Sequence, residues 1–302
     1  MKIAILIPTM NRPLFIERLL RYYSNVKNNH VIYIGDSSNK KNLISNKKYV
    51  NLYKSKINIK YYKLKNKNDR QAISYLASKV TEDFCAFSGD DDYFVPNTLI
   101  SCAKFLKKNK IYRTVQGRSI IFCVNDEKKG NKISWANEYG LNNQSLENTA
   151  QKRLLTFSNN YWVPQFSVHR TKEFVEDSKV YKSITNKTFG ELLHCFTFIC
   201  NGKSKYIDKV YLFRQTHNKR YFLPEIERWT LSKDWKESYN IFINTIAKLI
   251  KKNDGLNLKD SRIYASYIFE NYMNKEIKEN KNNQNKKIKF TSNLKKIKAL
   301  II

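Results

Sequence analysis

Three consecutive carboxylates, Asp90, Asp91 and Asp92, follow the apolar run Phe84-Cys85-Ala86-Phe87 and the break Ser88-Gly89. Adjacent acids repel one another, so a cation belongs among them. A hard divalent ion, Mn2+ or Mg2+, suits best, because these ions take carboxylate oxygens from a protein and phosphate oxygens from a bound ligand. A solvated acidic turn would show the same triplet. Against that reading stand Tyr93, Phe94 and Val95, which follow directly and make a segment unsuited to lying free in water. An apolar run ending in acids is what a buried parallel strand looks like when its carboxyl end, where open α/β sheets place their ligands, carries the chemistry. Which of the three acids holds the cation is left open by the triplet.

Other strand ends carry polar groups too. Ile3 to Ile7 is an apolar run ending in Pro8-Thr9-Met10-Asn11-Arg12-Pro13, and Val31 to Ile34 is closed by Gly35-Asp36-Ser37-Ser38. A late strand over Val210 to Phe213 runs into Arg214-Gln215-Thr216-His217-Asn218-Lys219-Arg220, a cluster whose positive charge suits a diphosphate or, read plainly, an exposed basic loop. Glu191, in Thr188-Phe189-Gly190-Glu191-Leu192, falls in the first turn of a predicted helix, where the helix dipole alone favours a carboxylate. Asn159, Asn160, Tyr161 and Trp162 combine the amide and aromatic side chains that bind sugars, or form a packed corner.

Positioning these groups requires a layered α/β frame. Leu14, Phe15, Leu19, Leu20 and Tyr23 give a helical stripe after the first strand, so the N-terminus opens as half of a βαβ unit. Ile59 to Leu64 is predicted as a third strand and Asp69 to Lys79 as a helix with Ala72, Ile73, Leu76 and Ala77 inward. Pro96 opens a helix with Leu99, Cys102, Phe105 and Leu106 on one face. Tyr112 to Cys123 is β-rich, and Asn125 to Asn148 reads as an irregular loop. Strand ends thus bring Thr9, Asn11, Arg12, Asp36 and the acids to one edge of one parallel sheet. Neither GxGxxG nor GxxxxGK[ST] occurs, so phosphates would be met by metal and side chains rather than by a backbone cradle.

The 302 residues, 41% hydrophobic and 14% aromatic, suffice for a large α/β domain with an appendage. No run of 18 apolar residues is present, and Ile3 to Ile7 is too short for the apolar core of a signal peptide, so the expected location is cytoplasmic. Five cysteines without CxxC fit reduced core residues. A net charge of +30, from 56 Lys+Arg against 26 Asp+Glu, admits nucleic acid, anionic lipid or a sugar nucleotide as partner. The bases are spread and the acids clustered, which speaks against a nucleic-acid surface.

With these residues in view, the chain resembles the GT-A glycosyltransferases of the large family-two type over roughly Met1 to Arg220. The resemblance rests on Pro8-Thr9-Met10-Asn11-Arg12, on Asp36, and on Asp90-Asp91-Asp92 with Pro96 downstream. It implies a Rossmann-like, mostly parallel sheet flanked by helices. It places Thr9 and Asp36 near base and ribose, Asp90 near ribose, and Asp91 or Asp92 on the metal, with Asn11 and Arg12 among the donor-binding residues. It adds Glu191 as the base that deprotonates an acceptor hydroxyl, with Leu192 standing where the family has a second acid. It puts His217 on the metal or the diphosphate. Arg70 is carried among the donor-binding residues, although this chain has Asp69-Arg70-Gln71-Ala72 and Ser74-Tyr75 where the family often has a glycine and an asparagine, a departure that counts against that role. The implied reaction moves a sugar from a nucleoside diphosphate sugar, expected to be a UDP-sugar, to a hydroxyl of a surface-glycan or lipid-linked acceptor, with inversion. A sugar nucleotidyltransferase and a non-catalytic basic membrane- or nucleic-acid-binding protein are the alternatives.

Beyond the resemblance, residues 221–273 are expected to form a helical appendage, with stripes Tyr239, Phe242, Ile243, Ile246, Ile250 and Ile263, Tyr267, Ile268, Tyr272. Asn274 to Asn285 reads as a polar linker. In the tail, residues 286–302, Phe290, Leu294, Ile297 and Ile301 share one helical face while Lys287, Lys289, Lys295, Lys296 and Lys298 lie largely elsewhere. That is the pattern of an interfacial helix on an anionic membrane surface, predicting peripheral association with the inner face of the membrane. A helix docked on the appendage would show the same stripe.

Overall fold

The computed structural model describes residues 1–124, 132–217, 224 and 226–299, with residues 227 and 279–299 described by backbone alone. The first part alternates strand and helix: β1 (Ala4–Thr9), α1 (Pro13–Asn25), β2 (Val31–Asp36), α2 (Lys40–Tyr53), β3 (Asn58–Lys63), α3 (Asp69–Ala77) and β4 (Phe84–Phe87). Then come β5 (Asp92–Phe94), α4 (Pro96–Lys108), β6 (Tyr112–Val124), β7 (Ile133–Tyr139), α5 (Ala150–Asn159), β8 (Val168–Arg170), α6 (Thr171–Asp177), α7 (Lys187–Asn201) and β9 (Lys203–Thr216). The chain ends in α8 (Ile226–Thr230), α9 (Trp235–Asp254) and α10 (Leu258–Ala299).

The strands form a single sheet in the order β3-β2-β1-β4-β8-β6-β9-β5, with β7 pairing β6. β3, β2, β1 and β4 are mutually parallel, in a register that sets Thr9 directly beside Asp36. The other half is mixed: β8 runs antiparallel to β4 and β6, β9 runs parallel to β6, and β5 antiparallel to β9. The α/β class with flanking helices is as expected. β1, β2 and β4 are buried along almost their whole length, which is why they read as unbroken apolar runs.

Local chemistry sets the helix ends. Pro13 and Pro96 occupy first-turn positions of α1 and α4, where the missing N–H costs nothing. Asn68 and Gln71 form a reciprocal capping box on α3, Asn186 accepts from Phe189 N at the start of α7, and Gly255 in the left-handed region (φ 72°) stops α9.

Several elements differ from the sequence reading. Residues 132–148 are not all irregular, for β7 forms a hairpin with β6. Every residue of β7 is exposed, so it lacks the alternating burial that would betray a strand. α2 was not anticipated because only Asn46, Val50 and Tyr53 of its fourteen residues are buried. Residues 274–285, expected as a linker, lie within the backbone of α10. The tail side chains from Phe290 to Ile301 and the basic residues Lys219 and Arg220 fall outside the described residues.

Two apolar clusters cover the faces of the sheet, one with α1, α2 and α4 and the other with α3 and α6. A third, built from α5, α7, α9 and α10, has Phe189, Phe196, Phe242 and Phe269 at its centre. α7 therefore stands between the sheet and the C-terminal helices.

Candidate active site

The carboxyl ends of β1 and β4 bring Thr9 and Asp90 together across 81 residues: Thr9 Oγ1 donates to Asp90 Oδ2 at 2.7 Å. Arg12 enters from the turn after β1, where Asn11 adopts a left-handed φ of 59°. Its Nη1 lies 2.8 Å from Asp90 Oδ1 and its Nη2 2.9 Å from Asp91 Oδ2, while the guanidinium stacks on Phe15 with 4.0 Å to the ring centroid. His217, just past the end of β9, completes the corner with Nε2 at 2.8 Å from Asp91 Oδ2 and 2.9 Å from Arg12 Nη2. Asp92 points to a different partner. It opens β5, its backbone pairs with Arg214, and its Oδ2 sits 3.4 Å from Arg214 Nε.

All three acids are buried. Burial pushes the Asp90 carboxyl up to about 7, with the Asp91 charge adding to it and Arg12 opposing. Asp91 is also raised by burial, but the hydrogen bond to His217 and the Arg12 charge outweigh this and hold it below the usual carboxylate range. Gly89 allows the fold-back: a Cβ there would lie 2.5 Å from Asp91 Oδ1.

The His217 geometry bears on the expected divalent ion. One ring nitrogen cannot both donate to Asp91 and accept from Arg12, so in either tautomer one short contact is unfavourable. Asp91 and His217 together form a carboxylate–imidazole pair suited to a Mn2+ or Mg2+ ion, with the Arg12 guanidinium now supplying the positive charge between Asp90 and Asp91. Among the described residues no group of three or more His, Cys, Asp or Glu side chains is arranged to hold a metal. The remaining ligands would come from phosphate oxygens and water, as such ions prefer.

Asp36 lies at the same edge but is fully buried. Its Oδ1 accepts from Ser38 N at 2.9 Å, and its Oδ2 accepts from Asn46 Nδ2 at 2.7 Å and Tyr61 Oη at 2.6 Å. Asn11 N donates to Ser38 Oγ, and Asn11 Oδ1 accepts from Asn39 N and Asn42 Nδ2. Asp36 thus ties β2 to α2 and β3, and Asn11 ties the β1 turn to the start of α2. Asn46 and Tyr61 were not singled out from sequence, because Asn46 sits in a weakly patterned helix and Tyr61 in a strand of ordinary alternation.

Arg70 does not join the acids. Its Nη1 donates to the carbonyls of Ile184 and Asn186, at 3.3 and 3.2 Å, and its Nη2 to that of Thr185 at 2.7 Å. The guanidinium passes over Gly190 so closely that a Cβ there would fall 1.7 Å from Nη1. Arg70 therefore braces the segment that launches α7, and through it Glu191.

Glu191 Oε1 accepts from Tyr161 Oη at 3.2 Å, and Tyr161 in turn lies 3.7 Å from Cys195 Sγ. Burial raises the Glu191 pKa, the Tyr161 hydrogen bond and the Arg214 charge work against it, and Asp69 adds to it. Arg214 thus acts on both acidic regions, pairing with Asp92 and biasing Glu191. Tyr161 was marked as a sugar-binding or corner residue, and the structure makes it the hydrogen-bond donor to the proposed base.

The fold agrees with what comparison finds. The chain belongs to glycosyl transferase family 2, whose family model matches residues 4–211, and it is a glycosyltransferase. Among solved structures it is similar to S. aureus TarS 1-349, with a TM-score of 0.57 at 18% identity over 92% of this chain and 72% of that one. The same TarS segment in complex with UDP-GlcNAc gives 0.57 at 19% identity over 91% and 73%, and in complex with UDP 0.55 at 19% over 89% and 71%. At such identities the likeness concerns the fold. No curated protein matches the sequence.

Proposed function

We propose that this glycosyltransferase moves a single sugar from a nucleoside diphosphate sugar, a UDP-sugar by preference, to a hydroxyl of a surface-glycan or lipid-linked acceptor, with inversion. One observation carries the reading: Arg12, Asp90, Asp91 and His217, from three separate strand ends, converge within hydrogen-bonding distance at the carboxyl edge of the sheet. The TarS segments solved with UDP and UDP-GlcNAc support uracil as the base and share the fold.

In this reading Thr9, Asn11 and the Asp36 network line the nucleoside end. Asp90 takes a ribose hydroxyl, and Asp36 either exchanges one of its three internal donors for ribose or base or holds the wall they form. Asp91 and His217 hold the divalent ion, and Arg12 turns from the acids to the diphosphate. When bound, the ion supplies positive charge for the departing diphosphate. Glu191, ionised, accepts the proton of the acceptor hydroxyl, whose oxygen bonds to the anomeric carbon as the bond to diphosphate oxygen breaks on the opposite face. Tyr161 holds Glu191 in one orientation. Arg70 serves α7, and with it the base, before it serves phosphate.

The tail is proposed to rest on an anionic membrane surface, where each lysine near the surface contributes about 1 kcal/mol. None of the described helices is long and apolar enough to cross a membrane.

A panel of nucleotide sugars, scored by released nucleotide with and without Mn2+, tests the reaction. Release from one donor that depends on both metal and a glycan acceptor is expected. Release that is indifferent to the metal, or absent across UDP, GDP and CDP sugars, removes the reading.

A further inference from the structure

Behind Arg12, in the second turn of α1, a further guanidinium is buried with its inner nitrogens unmatched. Arg18 is 8% exposed, and both its Nε and its Nη2 are buried with no hydrogen-bond partner. Glu17, the one acid in α1, is occupied elsewhere: it pairs with Arg21 at 3.5 Å and accepts from Tyr53 Oη at 3.2 Å. The fold does satisfy a comparable arginine, for Arg153, equally buried, donates to the carbonyls of Glu147, Asn148, Ile199 and Cys200. Leaving N–H groups of a charged fork buried and unmatched is costly, and such a group is kept where a ligand brings the missing acceptors.

Its place in the fold says which ligand. A helical side chain leans back over the turn before it, and Arg18 accordingly lies over the ring of Phe15, 4.5 Å from the centroid. The same ring has the Arg12 guanidinium at 4.0 Å and the His217 ring at 4.8 Å. The two Nη atoms of Arg12 hold Asp90 and Asp91, but its Nε is buried without a partner, like Nε and Nη2 of Arg18. Unmatched guanidinium nitrogens from two arginines therefore stand around one ring at the edge of the acidic corner. The acids themselves are already taken by Arg12, His217 and Arg214, so the charge of Arg18 is additional to theirs. Clustered oxygens bearing more than one negative charge would match it, which a phosphate offers and a neutral sugar or a base does not. We infer that Arg18 is a phosphate-binding residue of the donor site, placed behind Arg12 to receive the diphosphate of the nucleotide sugar. Arg12 must leave a carboxylate to reach a phosphate, whereas Nε and Nη2 of Arg18 give up no partner. When the bond between the anomeric carbon and the diphosphate oxygen breaks, its electron pair stays on that oxygen, and Arg18 steadies the charge that grows there. The inference rests on the proposed reaction for the carrier of the phosphate; the unmatched guanidinium stands on its own geometry.

Direct binding separates the two. Full-length protein is titrated calorimetrically with UDP, uridine, inorganic pyrophosphate and glycerol 3-phosphate, at fixed ionic strength, with and without Mn2+. Arg18→Gln should weaken UDP and pyrophosphate by about tenfold or more, the loss expected of charge-assisted hydrogen bonds, and leave uridine unchanged. Arg18→Lys should restore part of the loss, as a point charge without the fork. The pyrophosphate loss should appear without Mn2+ as well, which sets Arg18 apart from the ion's ligands. Arg18→Met keeps the stem and drops the charge, so it should melt no lower than wild type, because an unmatched buried charge is removed. UDP affinity of Arg18→Gln within twofold of wild type overturns the inference and leaves the proposed reaction standing. So does a loss confined to glycerol 3-phosphate, which would put the phosphate on another molecule, or a lower-melting Arg18→Met that binds UDP as wild type does. If the wild type binds pyrophosphate but not UDP, and Arg18→Gln loses the pyrophosphate, the nucleotide reading falls and the phosphate site stands. Should Arg18→Gln fail to fold, Arg18→Met and Arg18→Lys carry the same comparisons.

Discussion

Arg12 occupies an odd position for a ligand-binding residue, since it spends its charge on the protein's own acids. Removing it leaves Asp90 and Asp91 buried side by side, which costs roughly 3 kcal/mol. Arg12→Ala should therefore melt lower than wild type without metal, and Mn2+ should raise its melting temperature by more than it raises the wild type's. Equal gains in a thermal-shift titration would show that guanidinium and metal do not share a place. Glu191 yields a second prediction. Its folded pKa is raised above its unfolded value, so its contribution to stability is present below the unfolded pKa and lost as pH rises through the folded one. Glutamine mimics the protonated form. Glu191→Gln should thus equal wild type in acid and exceed it at pH 8, while losing acceptor transfer by at least a hundredfold. A melting difference that does not grow with pH would contradict the burial argument. Residue identities at this corner were legible because they sit at strand ends. Their partners were not: Asp91 and His217 are 126 positions apart, and nothing local distinguishes Asp91, facing His217, from Asp92, facing Arg214.

At the level of elements, α7 is the piece whose placement decides most. Phe189 on its inner side meets Trp229, Phe242 and Phe269, and Arg70 crosses Gly190 to hold the preceding carbonyls. Gly190→Ala forces Arg70 off those carbonyls. A loss of about 2 kcal/mol in stability is expected, with a larger fall in turnover than in UDP affinity, because the base moves and the donor corner does not. Urea unfolding alongside steady-state kinetics checks it, and UDP affinity falling in step with turnover would return Arg70 to the donor site. Phe269→Ala, at the junction of α9, α10 and α7, should cost about 3–5 kcal/mol. Elements with full burial were visible in the sequence: β1, β2, β4, α4 and α7 follow from apolar runs and prolines. β5 begins on the last acid of the triplet and, like β8, is three residues long. Neither length nor pattern marks such pieces, which exist because a neighbouring strand offers them hydrogen bonds.

The molecule as a whole is strongly basic, yet two of its arginines, Arg12 and Arg214, are taken up by the Asp90–Asp92 acids. Charge outside that corner remains available for surfaces. Sedimentation of the full chain with anionic liposomes should weaken with salt, and truncation at Gln284 should abolish it while leaving transfer to a soluble acceptor intact. Sedimentation of the truncated protein would place the contact elsewhere on the basic surface. Composition disclosed the charge and the fold class. Where the C-terminal helices lie was not in it, since stripes such as Phe242-Ile246-Ile250 say only that something is buried, and α5 and α7 turn out to be what covers them.

β9 lies between β6 and β5 in the sheet, and β5 has no other strand partner among the described residues. A ribosome delivers β9 more than a hundred residues after the acids, so for much of its synthesis the chain holds Asp90, Asp91 and Asp92 without His217 or Arg214. Pairings this distant form slowly. A chain cut short before residue 203 would contain β1, β2 and the acids but neither His217 nor Arg214. The acidic corner is thus completed late, when a single strand takes its place between two others.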